Sequence, residues 1–386
     1  MRIGFIIYER LDTLTGGYLY DKIVIEGLMG RGHDVEVISI AGGSYLRRLS
    51  YSFTNGGRYK RVANRFDILI ADELCHPSLL FVKKWLGKQA KRPPLVALVH
   101  HLICLEPRPP WQKILLGLVE RRFLASVDGF IHNSATTRDT VNSQTHHNLP
   151  QVIASPAGDR LRSSRVPDII TRRAQRPGPL KLLFLGIVVP RKGLLPLLSS
   201  LSDLSRDIWH LSIVGDHNVD AAYTARARKL IRHCDIGGSI DFLGPRKDDE
   251  LVEILNENQI FCMPFAYEGF GIAILEAMAF GLPAIGSSSG AAGETITHGK
   301  NGYLLDPSDQ SGLGPLLTQL HQDRNRLEEM ARAARITYLR SPRWKDSITT
   351  IETFLRELIN QRRQSSAGVP AEIAPAQERQ DSDAKR

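Results

Sequence analysis

The chain has 386 residues, of which 42% are hydrophobic and 24% are charged. These values are typical of a folded protein with two domains and exclude a disordered or fibrous chain. The formal net charge of +9 is carried entirely by residues 1–165, which hold 23 Lys and Arg against 14 Asp and Glu, whereas the remainder holds 27 of each.

Strands and helices alternate along the first half of the chain. Short apolar runs predict six strands: Ile3–Ile7, Val35–Ile40, Asp67–Ala71, Leu95–Val99, Gly129–His132 and Gln151–Ala154. Amphipathic stretches between them predict helices near 17–31, 76–91, 111–125 and 134–143. Alternation of this kind favours a parallel, doubly wound sheet. The continuous apolar run at 95–99 is typical of a strand buried on both faces.

The stretch from Arg162 to Pro179 interrupts this alternation with arginines and prolines and predicts an interdomain linker. A second series of strands follows: Leu180–Leu185, Trp209–Val214, Ser239–Leu243, Ile260–Met263, Pro283–Gly286 and Gly302–Leu305. Helices are predicted near 192–201, 220–234, 248–257, 270–280, 310–321, 324–340 and 344–362.

These elements predict two doubly wound α/β domains of the Rossmann type, at residues 1–165 and 166–342, that face each other across a cleft. A C-terminal helix is predicted at 343–362, and one option for it is to pack back on the first domain. The Ala-, Pro- and Gln-rich tail at 363–386 is predicted to be disordered. Doubly wound sheets bind ligands, often nucleotides, at the carboxyl ends of their strands. The cleft is therefore the predicted site.

The most informative segment is Met263–Pro283, where a strand ends, a short loop follows and a helix begins. Gly269 and Gly271 allow a ligand to approach the backbone closely, and the free N–H groups of the helix start suit a phosphate. Glu268 is placed to accept hydrogen bonds from sugar hydroxyls, unless it caps the helix. Glu276 lies two turns into an apolar helix and needs a partner, which is either a pair of ribose hydroxyls or a neighbouring arginine.

The two glutamates, followed by an alanine-rich turn and G-x-P, resemble the signature of family-4 retaining glycosyltransferases of the GT-B fold. The resemblance implies a nucleoside diphosphate sugar as the donor substrate. It further implies that Glu268 contacts the donor sugar and that Glu276 binds the nucleotide ribose. The backbone of Gly269, Phe270 and Gly271 would face the sugar and the diphosphate.

The turn Leu185–Gly193 resembles the glycine-rich turn of the same family. By this resemblance Gly186 and Arg191 belong to the donor site, and Lys192 neutralises the diphosphate while charge builds up on the leaving group. The family usually has an arginine directly after the first glycine, where this chain has Ile187. Losing one of two cations predicts a cost of roughly 2–4 kcal/mol in transition-state stabilisation unless another cation compensates.

Two features of the first half match the family by position. Gly16 and Gly17 follow the first strand after a short loop, where the resemblance implies a close approach of the backbone to the donor phosphates and the acceptor. His100 follows a buried strand at the cleft, and the resemblance implies a contact with the donor sugar. A structural role is the alternative for His100. For Glu294, which ends a small-residue loop, structural and ligand roles are both open.

Basic residues with interleaved aromatics characterise two stretches of the first half: Arg47, Arg48, Arg58, Lys60, Arg61 and Arg65 with Tyr51, Phe53 and Tyr59, and then Trp111 to Arg122. This pattern suits an anionic membrane surface or a lipid-linked acceptor, and a solvated basic surface is the alternative. No nucleic-acid-binding motif accompanies the pattern, so nucleic acid is not the partner that we predict.

The sequence thus predicts a retaining, metal-independent glycosyltransferase that moves a sugar to a hydroxyl of a glycan or lipid-linked acceptor and uses no cofactor, the nucleotide sugar being a substrate. Arg191 or Arg246 would supply the positive charge that is missing at Ile187. A nucleotide-sugar epimerase and a non-catalytic nucleotide-sugar-binding homologue are the alternatives. Dispersed cysteines and the absence of a signal-peptide pattern predict a cytoplasmic chain, peripheral at the inner face of the membrane if it binds there.

Overall fold

A computed structural model describes residues 1–8, 16–54, 65–86, 92–106, 108–145, 148–161, 166–265 and 267–366. It contains two parallel sheets of six strands each. Each sheet has its own helices and hydrophobic core. The predicted pair of doubly wound α/β domains is confirmed.

The first sheet contains the strands β1 (Arg2–Tyr8), β2 (Asp34–Ile40), β3 (Ile68–Asp72), β4 (Leu95–Val99), β5 (Gly129–His132) and β6 (Gln151–Ile153). Their order is β2-β1-β3-β4-β5-β6, and every pairing is parallel. All five residues of β4 are buried, as expected of an apolar strand with helices on both faces. In chain order, β2 is added on one side of β1, and β3 to β6 are added on the other side. The direction in which strands are added therefore reverses between β1 and β3.

The helices of the first domain are α1 (Gly16–Met29), α2 (Tyr45–Thr54), α3 (Val82–Leu86), α4 (Pro110–Leu124) and α5 (Ala135–Gln144). The long helix predicted near 76–91 is wrong, because among the described residues only the short α3 and a preceding 3₁₀ turn at Glu73–Cys75 are helical. Helix α2 was not among the predicted helices.

The second sheet contains β7 (Leu180–Leu185), β8 (Trp209–Val214), β9 (Ile240–Gly244), β10 (Ile260–Met263), β11 (Ala284–Ser287) and β12 (Gly302–Leu305). Their order is β12-β11-β10-β7-β8-β9, again with parallel pairing. The order reverses between β7 and β10. In open α/β sheets a crevice for ligands lies beyond the carboxyl ends of the two strands at such a reversal.

The helices of the second domain are α6 (Val166–Ala174), α7 (Leu194–Ser202), α8 (Ala221–His233), α9 (Asp248–Glu257), α10 (Ile272–Ala279), α11 (Leu313–Gln322) and α12 (Arg324–Arg340). The predicted linker at 162–179 is wrong in part, because α6 lies within it. Ile170 and Ala174 of α6 are four residues apart and pack in the second core. Arg173 is buried beside them and donates to the carbonyls of Phe280 and Gly281 at 2.7 and 2.8 Å.

The last helix, α13 (Trp344–Ser366), packs on the first domain. Its apolar residues join the core that contains β1 and α1, and Glu352 receives hydrogen bonds from Arg31 at 2.9 Å. The helix extends four residues beyond its predicted end at 362. The rest of the predicted disordered tail, residues 367–386, lies outside the described residues. No helix in the described part of the chain is long and apolar enough to cross a membrane.

Candidate active site

Most of the residues singled out in the sequence lie where strands end at the reversals of the two sheets. The turn after β7 carries Lys192, and the loop after β10 carries Glu268. On the opposite side of the cleft, α1 follows β1 and His100 follows β4. The parallel topology therefore brings together segments that are distant in sequence, at the edge where doubly wound sheets bind their ligands.

Lys192 and Glu268 form a direct ion pair at the bottom of the cleft. Burial lowers the pKa of Lys192, and Glu268 opposes that shift only in part. Burial would raise the pKa of Glu268, but the charges of Lys192 and Arg191 outweigh it, so that this pKa is lowered. Gly186 lies beside the lysine, since a Cβ at this position would be 3.5 Å from its Cε. The pair is a partly desolvated ammonium and a carboxylate, each able to turn toward a ligand.

Glu276 is buried on α10 and is paired with Arg160, a residue that the sequence analysis did not select. The guanidinium lies 2.9 Å from Oε1 of the glutamate and also contacts Asp248 of α9. Arg160 precedes the second domain in the chain, so this ion pair joins the two halves. Of the two partners predicted for Glu276, ribose hydroxyls or an arginine, the arginine is the one present in this structure. Both contacts from Arg160 are made to the same oxygen, Oε1.

His100 is buried and is held by an acid on α1. Its Nε2 lies 2.9 Å from Oδ1 of Asp21, which is fully buried. Burial lowers the pKa of His100, but the charge and the hydrogen bond of Asp21 outweigh burial and raise it. Asp72 at the end of β3 is also close, and burial together with Asp21 raises the pKa of Asp72 to about 7. The histidine is therefore set in an acidic environment that favours its protonated form.

The glycines of the site allow the two domains to approach closely. A Cβ at Gly269 would lie 2.1 Å from the carbonyl oxygen of His100, and the carbonyl of Gly269 accepts from Oγ of Ser134 at 2.9 Å. A Cβ at Gly17 would lie 3.3 Å from the His100 ring, whereas one at Gly16, the first residue of α1, would meet nothing within 4 Å. The loop after β10, which carries Glu268 and Gly269, is thus in backbone contact with the first domain.

The amino end of α10 is formed by Gly271, which has φ of +87° and precedes the first helical residue. This left-handed conformation favours glycine. Phe270 beside it is buried. No side chain caps this helix end, so Glu268 does not act as its cap. The free N–H groups here are the type of donor that binds phosphate oxygens.

Glu294 joins the domains through a helix cap. Its carboxylate, in the second domain, accepts from the backbone N–H groups of Ala135 and Thr136 at the start of α5, at 3.1 and 2.7 Å. A carboxylate at a helix amino end is stabilised by the helix dipole and satisfies otherwise unpaired N–H groups. The structural role is therefore the one that this geometry supports for Glu294.

The two arginines considered as replacements for a cation at Ile187 have other partners. Arg191 donates to the carbonyl of Tyr267 at 3.3 Å, and its Nε lies 3.7 Å from Glu106 of the first domain. Arg246 pairs with Glu250 at 2.8 Å on α9. Neither contact prevents a movement toward a bound anion, because Arg246 is partly exposed and the contact of Arg191 with Glu106 is long.

Sequence reasoning missed Asp21, Asp72, Arg160 and Ser134. Asp21 had a signal, since it is an acidic residue on the buried face of an apolar helix directly after the glycine pair. Asp72 ends a buried strand, which is a second such signal. For Arg160 and Ser134 the sequence holds none, because their partners lie 116 and 135 residues away.

Two clusters have the donor set of a metal site among the described residues: Asp21, Asp72 and His100, and Glu73, His76 and Glu120. In each cluster one ligand atom per residue lies within 4.8 Å of the others. The first cluster is part of the cleft and is organised around the Asp21–His100 hydrogen bond. The second lies deeper in the first domain.

Comparison with known proteins agrees with this geometry. Residues 167–337 match the family model described as glycosyl transferases group 1. A GDP-mannose-dependent alpha-(1-6)-phosphatidylinositol monomannoside mannosyltransferase of Mycobacterium tuberculosis is 32% identical over 194 residues, which are 48% of this chain and 49% of that protein. An uncharacterized glycosyltransferase of Bacillus subtilis is 26% identical over 281 residues, 70% of this chain and 72% of its own. The chain spans about half the length of the first of these relatives.

Solved structures share the fold over nearly the whole chain. A sucrose-phosphate synthase from Thermosynechococcus elongatus superposes with a TM-score of 0.79 at 15% identity and covers 93% of this chain and 99% of its own. The Anabaena protein Alr3699/HepE in complex with UDP and glucose superposes with a TM-score of 0.74 at 18% identity, over 92% and 100%. At these identities the similarity establishes the two-domain fold.

Proposed function

We propose that the chain transfers a sugar from a nucleoside diphosphate donor to a hydroxyl acceptor, because residues 167–337 match the family model of the glycosyl transferases group 1 and the two-domain fold agrees with it. The observation that carries the proposal is the buried pair of Lys192 and Glu268 at the strand reversal of that domain. An ammonium and a carboxylate side by side match a diphosphate next to a polyhydroxylated ring.

The donor is proposed to lie on the second domain. Its diphosphate would meet the N–H groups at the start of α10 and the ammonium of Lys192, which turns from Glu268 to the phosphate oxygens. Glu268, released from that contact, would accept hydrogen bonds from the sugar hydroxyls. Arg160 would keep Oε1 of Glu276, and Oε2, to which no residue of the described ranges donates a hydrogen bond, would accept from the ribose.

Transfer is proposed to proceed with retention of the anomeric configuration. The bond between the anomeric carbon and the leaving phosphate oxygen breaks, and a bond from that carbon to the acceptor oxygen forms on the same face. The proton of the acceptor hydroxyl goes to the departing phosphate, whose negative charge Lys192 stabilises. His100, kept protonated by Asp21, would donate a hydrogen bond to the sugar. No step of this route requires a metal ion or a cofactor.

Nucleotide binding tests this proposal. We expect calorimetry to find that one of UDP, GDP and ADP binds tightly to the wild type. Glu276→Ala should weaken that binding by at least tenfold, because a charge-assisted hydrogen bond contributes roughly 1.5–3 kcal/mol. Glu250→Ala, which removes an exposed carboxylate of α9, is the control and should bind as the wild type does. If folded wild-type protein binds none of the three nucleotides, the proposal is wrong.

Ile187 supports a second candidate, a non-catalytic nucleotide-sugar-binding protein. This candidate predicts nucleotide binding without turnover of any nucleotide sugar, whereas the transferase predicts both. With the nucleotide identified, matching sugar donors and a panel of alkyl glycosides as acceptors would decide between them. NMR of the anomeric proton in donor and product would then test retention.

The first domain is proposed to bind an anionic membrane through α2 and α4. Four apolar side chains on α4 are exposed at helical spacing: Trp111 (61%), Ile114 (61%), Leu115 (56%) and Leu118 (54%). Phe53 of α2 and Arg122 of α4 both contact the ring of Phe81, at 5.1 and 5.6 Å, so the two helices are neighbours. Arg47 and Arg121 are exposed on them. An apolar stripe flanked by basic residues suits an interfacial helix on anionic lipid.

Part of the basic cluster in the sequence does not belong to this surface. Arg48 stacks on the ring of Tyr8, with its Cζ 4.2 Å from the ring centroid, and Arg65 pairs with Glu36 at 2.7 Å. Residues 55–64, which include Arg58, Tyr59, Lys60 and Arg61, lie outside the described residues. The membrane proposal therefore depends on α2 and α4.

Co-sedimentation with vesicles tests the membrane proposal. We expect the wild type to bind vesicles that contain phosphatidylglycerol and not vesicles of phosphatidylcholine alone, with weaker binding at high salt. Replacing both Ile114 and Leu118 by serine should abolish binding, since each buried apolar side chain contributes roughly 1.5–3 kcal/mol. Leu339→Ser on α12, which is 53% exposed, should have no effect. Equal binding by the double variant would contradict the proposal.

A further inference from the structure

A second group of ionisable side chains is buried in the first domain, next in the chain to Asp72 and distinct from the ion pairs described above. Glu73 and His76 belong to the turn that follows β3, and Glu120 lies on α4. Their relative exposures are 1%, 0% and 1%. One ligand atom from each lies within 4.8 Å of the other two. Three buried side chains with this donor chemistry converge on one point.

The carboxylate of Glu73 has no hydrogen-bond donor among the described residues, for either of its oxygens. Oε1 lies 3.0 Å from Nδ1 of His76, but without the geometry of a hydrogen bond. A buried carboxylate without a partner costs free energy unless it is neutralised by a proton or a cation.

The carboxylate of Glu120, unlike that of Glu73, has hydrogen-bond donors. They are backbone N–H groups, which fix its orientation. Its Oε1 accepts from the N–H of Ile103 at 2.7 Å, and its Oε2 accepts from the N–H of Cys104 at 3.3 Å. Each oxygen retains a second lone pair for another partner. Outer hydrogen bonds that orient a carboxylate in this way are typical of metal ligands.

His76 has the charge state and the outer contact of a ligand. The ring of His76 is fully buried, which disfavours the charged imidazolium, and neutral imidazole is the form that binds a metal. Nδ1 faces Glu73, 3.1 Å from its carbonyl oxygen, and Nε2 lies 3.1 Å from Oη of Tyr45. Because a carbonyl oxygen only accepts, Nδ1 carries the proton in this arrangement and Nε2 accepts from the hydroxyl of Tyr45. An ion would bind Nδ1 in the other tautomer, in which Nε2–H donates to Tyr45. A metal-bound histidine usually donates its other N–H to such a partner.

We propose that Glu73, His76 and Glu120 form a structural site for a divalent transition-metal ion, with Zn²⁺ the best match. Two carboxylate oxygens and one imidazole nitrogen are ligands that zinc prefers, in a number that it accepts. The two negative charges would balance the charge of the ion. Mg²⁺ and Ca²⁺ fit less well, because they require more oxygen ligands or several waters than a buried triad supplies.

The ion would connect three parts of the first domain: the turn after β3, helix α4 and the segment at 103–104 whose N–H groups hold Glu120. Its role would be structural, since none of its three ligands takes part in the proposed transfer. Failure of this inference would therefore leave the proposed function untouched. The competing explanation is that protons, shared between Glu73 and Glu120, neutralise the pair.

Metal content and spectroscopy of the full-length chain distinguish the two explanations. The protein is treated with a chelator, incubated with ZnCl₂ or CoCl₂ at a temperature that permits local opening, and desalted. We expect one zinc per chain by elemental mass spectrometry. With cobalt we expect the intense visible bands of a four- or five-coordinate ion, not the weak bands of a hexa-aqua ion on the surface.

Glu73→Gln and His76→Gln should each lower the retained zinc at least tenfold. His210→Gln is the matched control, because it removes a histidine that is paired with a carboxylate, Asp241 at 2.8 Å, in the second domain. This variant should retain its zinc. Zinc should also raise the unfolding temperature of the wild type and of His210→Gln, and leave that of Glu73→Gln unchanged.

The proposal is overturned if the wild type retains no zinc, or if zinc retained by the wild type persists in both triad variants. An unchanged or higher stability of metal-free Glu73→Gln, together with no zinc in the wild type, would establish the shared proton instead. The cobalt spectrum of the wild type needs no variant, so the proposal stays testable if a substitution prevents folding.

Discussion

At the residue scale, the cleft is organised by ion pairs that link distant segments. His100 was selected in the sequence for its position after a buried strand, and the structure adds Asp21, which accepts from its ring at 2.9 Å. The acid raises the pKa of the imidazole in spite of burial. A group with a raised pKa in the folded state stays protonated to higher pH, so that His100 is a cation over the range in which a free histidine becomes neutral.

Asp21→Asn tests this arrangement. Because the carboxylate is the largest favourable influence on the imidazolium, the pKa of His100 should fall, and the alkaline limb of the activity profile should move to lower pH. Losing a charge-assisted hydrogen bond costs about 1.5–3 kcal/mol, which is roughly 10- to 150-fold in kcat/KM at neutral pH. NMR titration of the His100 C2 proton measures the shift directly. Glu26→Gln, an exposed site on the same helix, should change neither, and an unchanged pKa in Asp21→Asn would refute the assignment.

At the scale of elements, α13 crosses from the second domain to the first and completes its core. Leu355 and Ile351 are fully buried in the cluster that contains β1 and α1. Glu352 on the same helix holds Arg31 and His33 at 2.9 and 3.0 Å, and these donors, with Arg356, lower its pKa to about 2. This contribution to stability is complete above the ordinary glutamate pKa and is lost progressively as the pH falls from there to about 2.

Truncation of the apolar face of α13 should destabilise the first domain. Leu355→Ala removes a fully buried side chain and should lower the free energy of unfolding by about 2–5 kcal/mol. Trp344 lies on the same helix in the same core, so its fluorescence during urea unfolding reports the change. Thr353→Ala on the exposed face of α13 should stay within about 0.5 kcal/mol of the wild type. Equal effects of the two substitutions would mean that α13 does not complete this core.

At the scale of the whole molecule, the two domains are in close contact across the cleft. Gly269 lies against the carbonyl of His100, Glu294 caps α5 of the first domain, and Arg160 pairs with Glu276. Each contact joins a residue of the proposed donor side to one before residue 162. A structure with these contacts is a closed arrangement, in which the donor and acceptor sides are held together.

Gly269→Ala should prevent that closure. The added Cβ would lie 2.1 Å from the carbonyl oxygen of His100, so the domains must separate. We expect a larger radius of gyration by small-angle X-ray scattering and a loss of roughly 100-fold in kcat, because small misplacements of reacting groups have costs of this size. Gly293→Ala, whose Cβ would meet its nearest neighbour at 3.6 Å, is the control. A compact and active Gly269→Ala would exclude the closed arrangement as the reactive one.

The sequence by itself determined the elements whose signal is local. Apolar runs predicted β4, β7, β8, β10 and β12 with their observed bounds, because the strands of a parallel sheet covered by helices are rich in apolar residues. The loop with Glu268 and the glycines before α10 were found because a turn, a helix start and a close backbone approach each require particular residue types in sequence.

Only the tertiary structure decided which charges meet. The partners of Glu276, His100 and Glu294 lie 116, 79 and 158 residues away, and no local pattern encodes such a pairing. α6 became a helix of the second core because Ile170 and Ala174 have a surface to pack on, which most helices need for stability in water. Local chemistry thus specified the segments, and the packing of the sheets specified the site, since ion pairs depend on the distances that the fold creates.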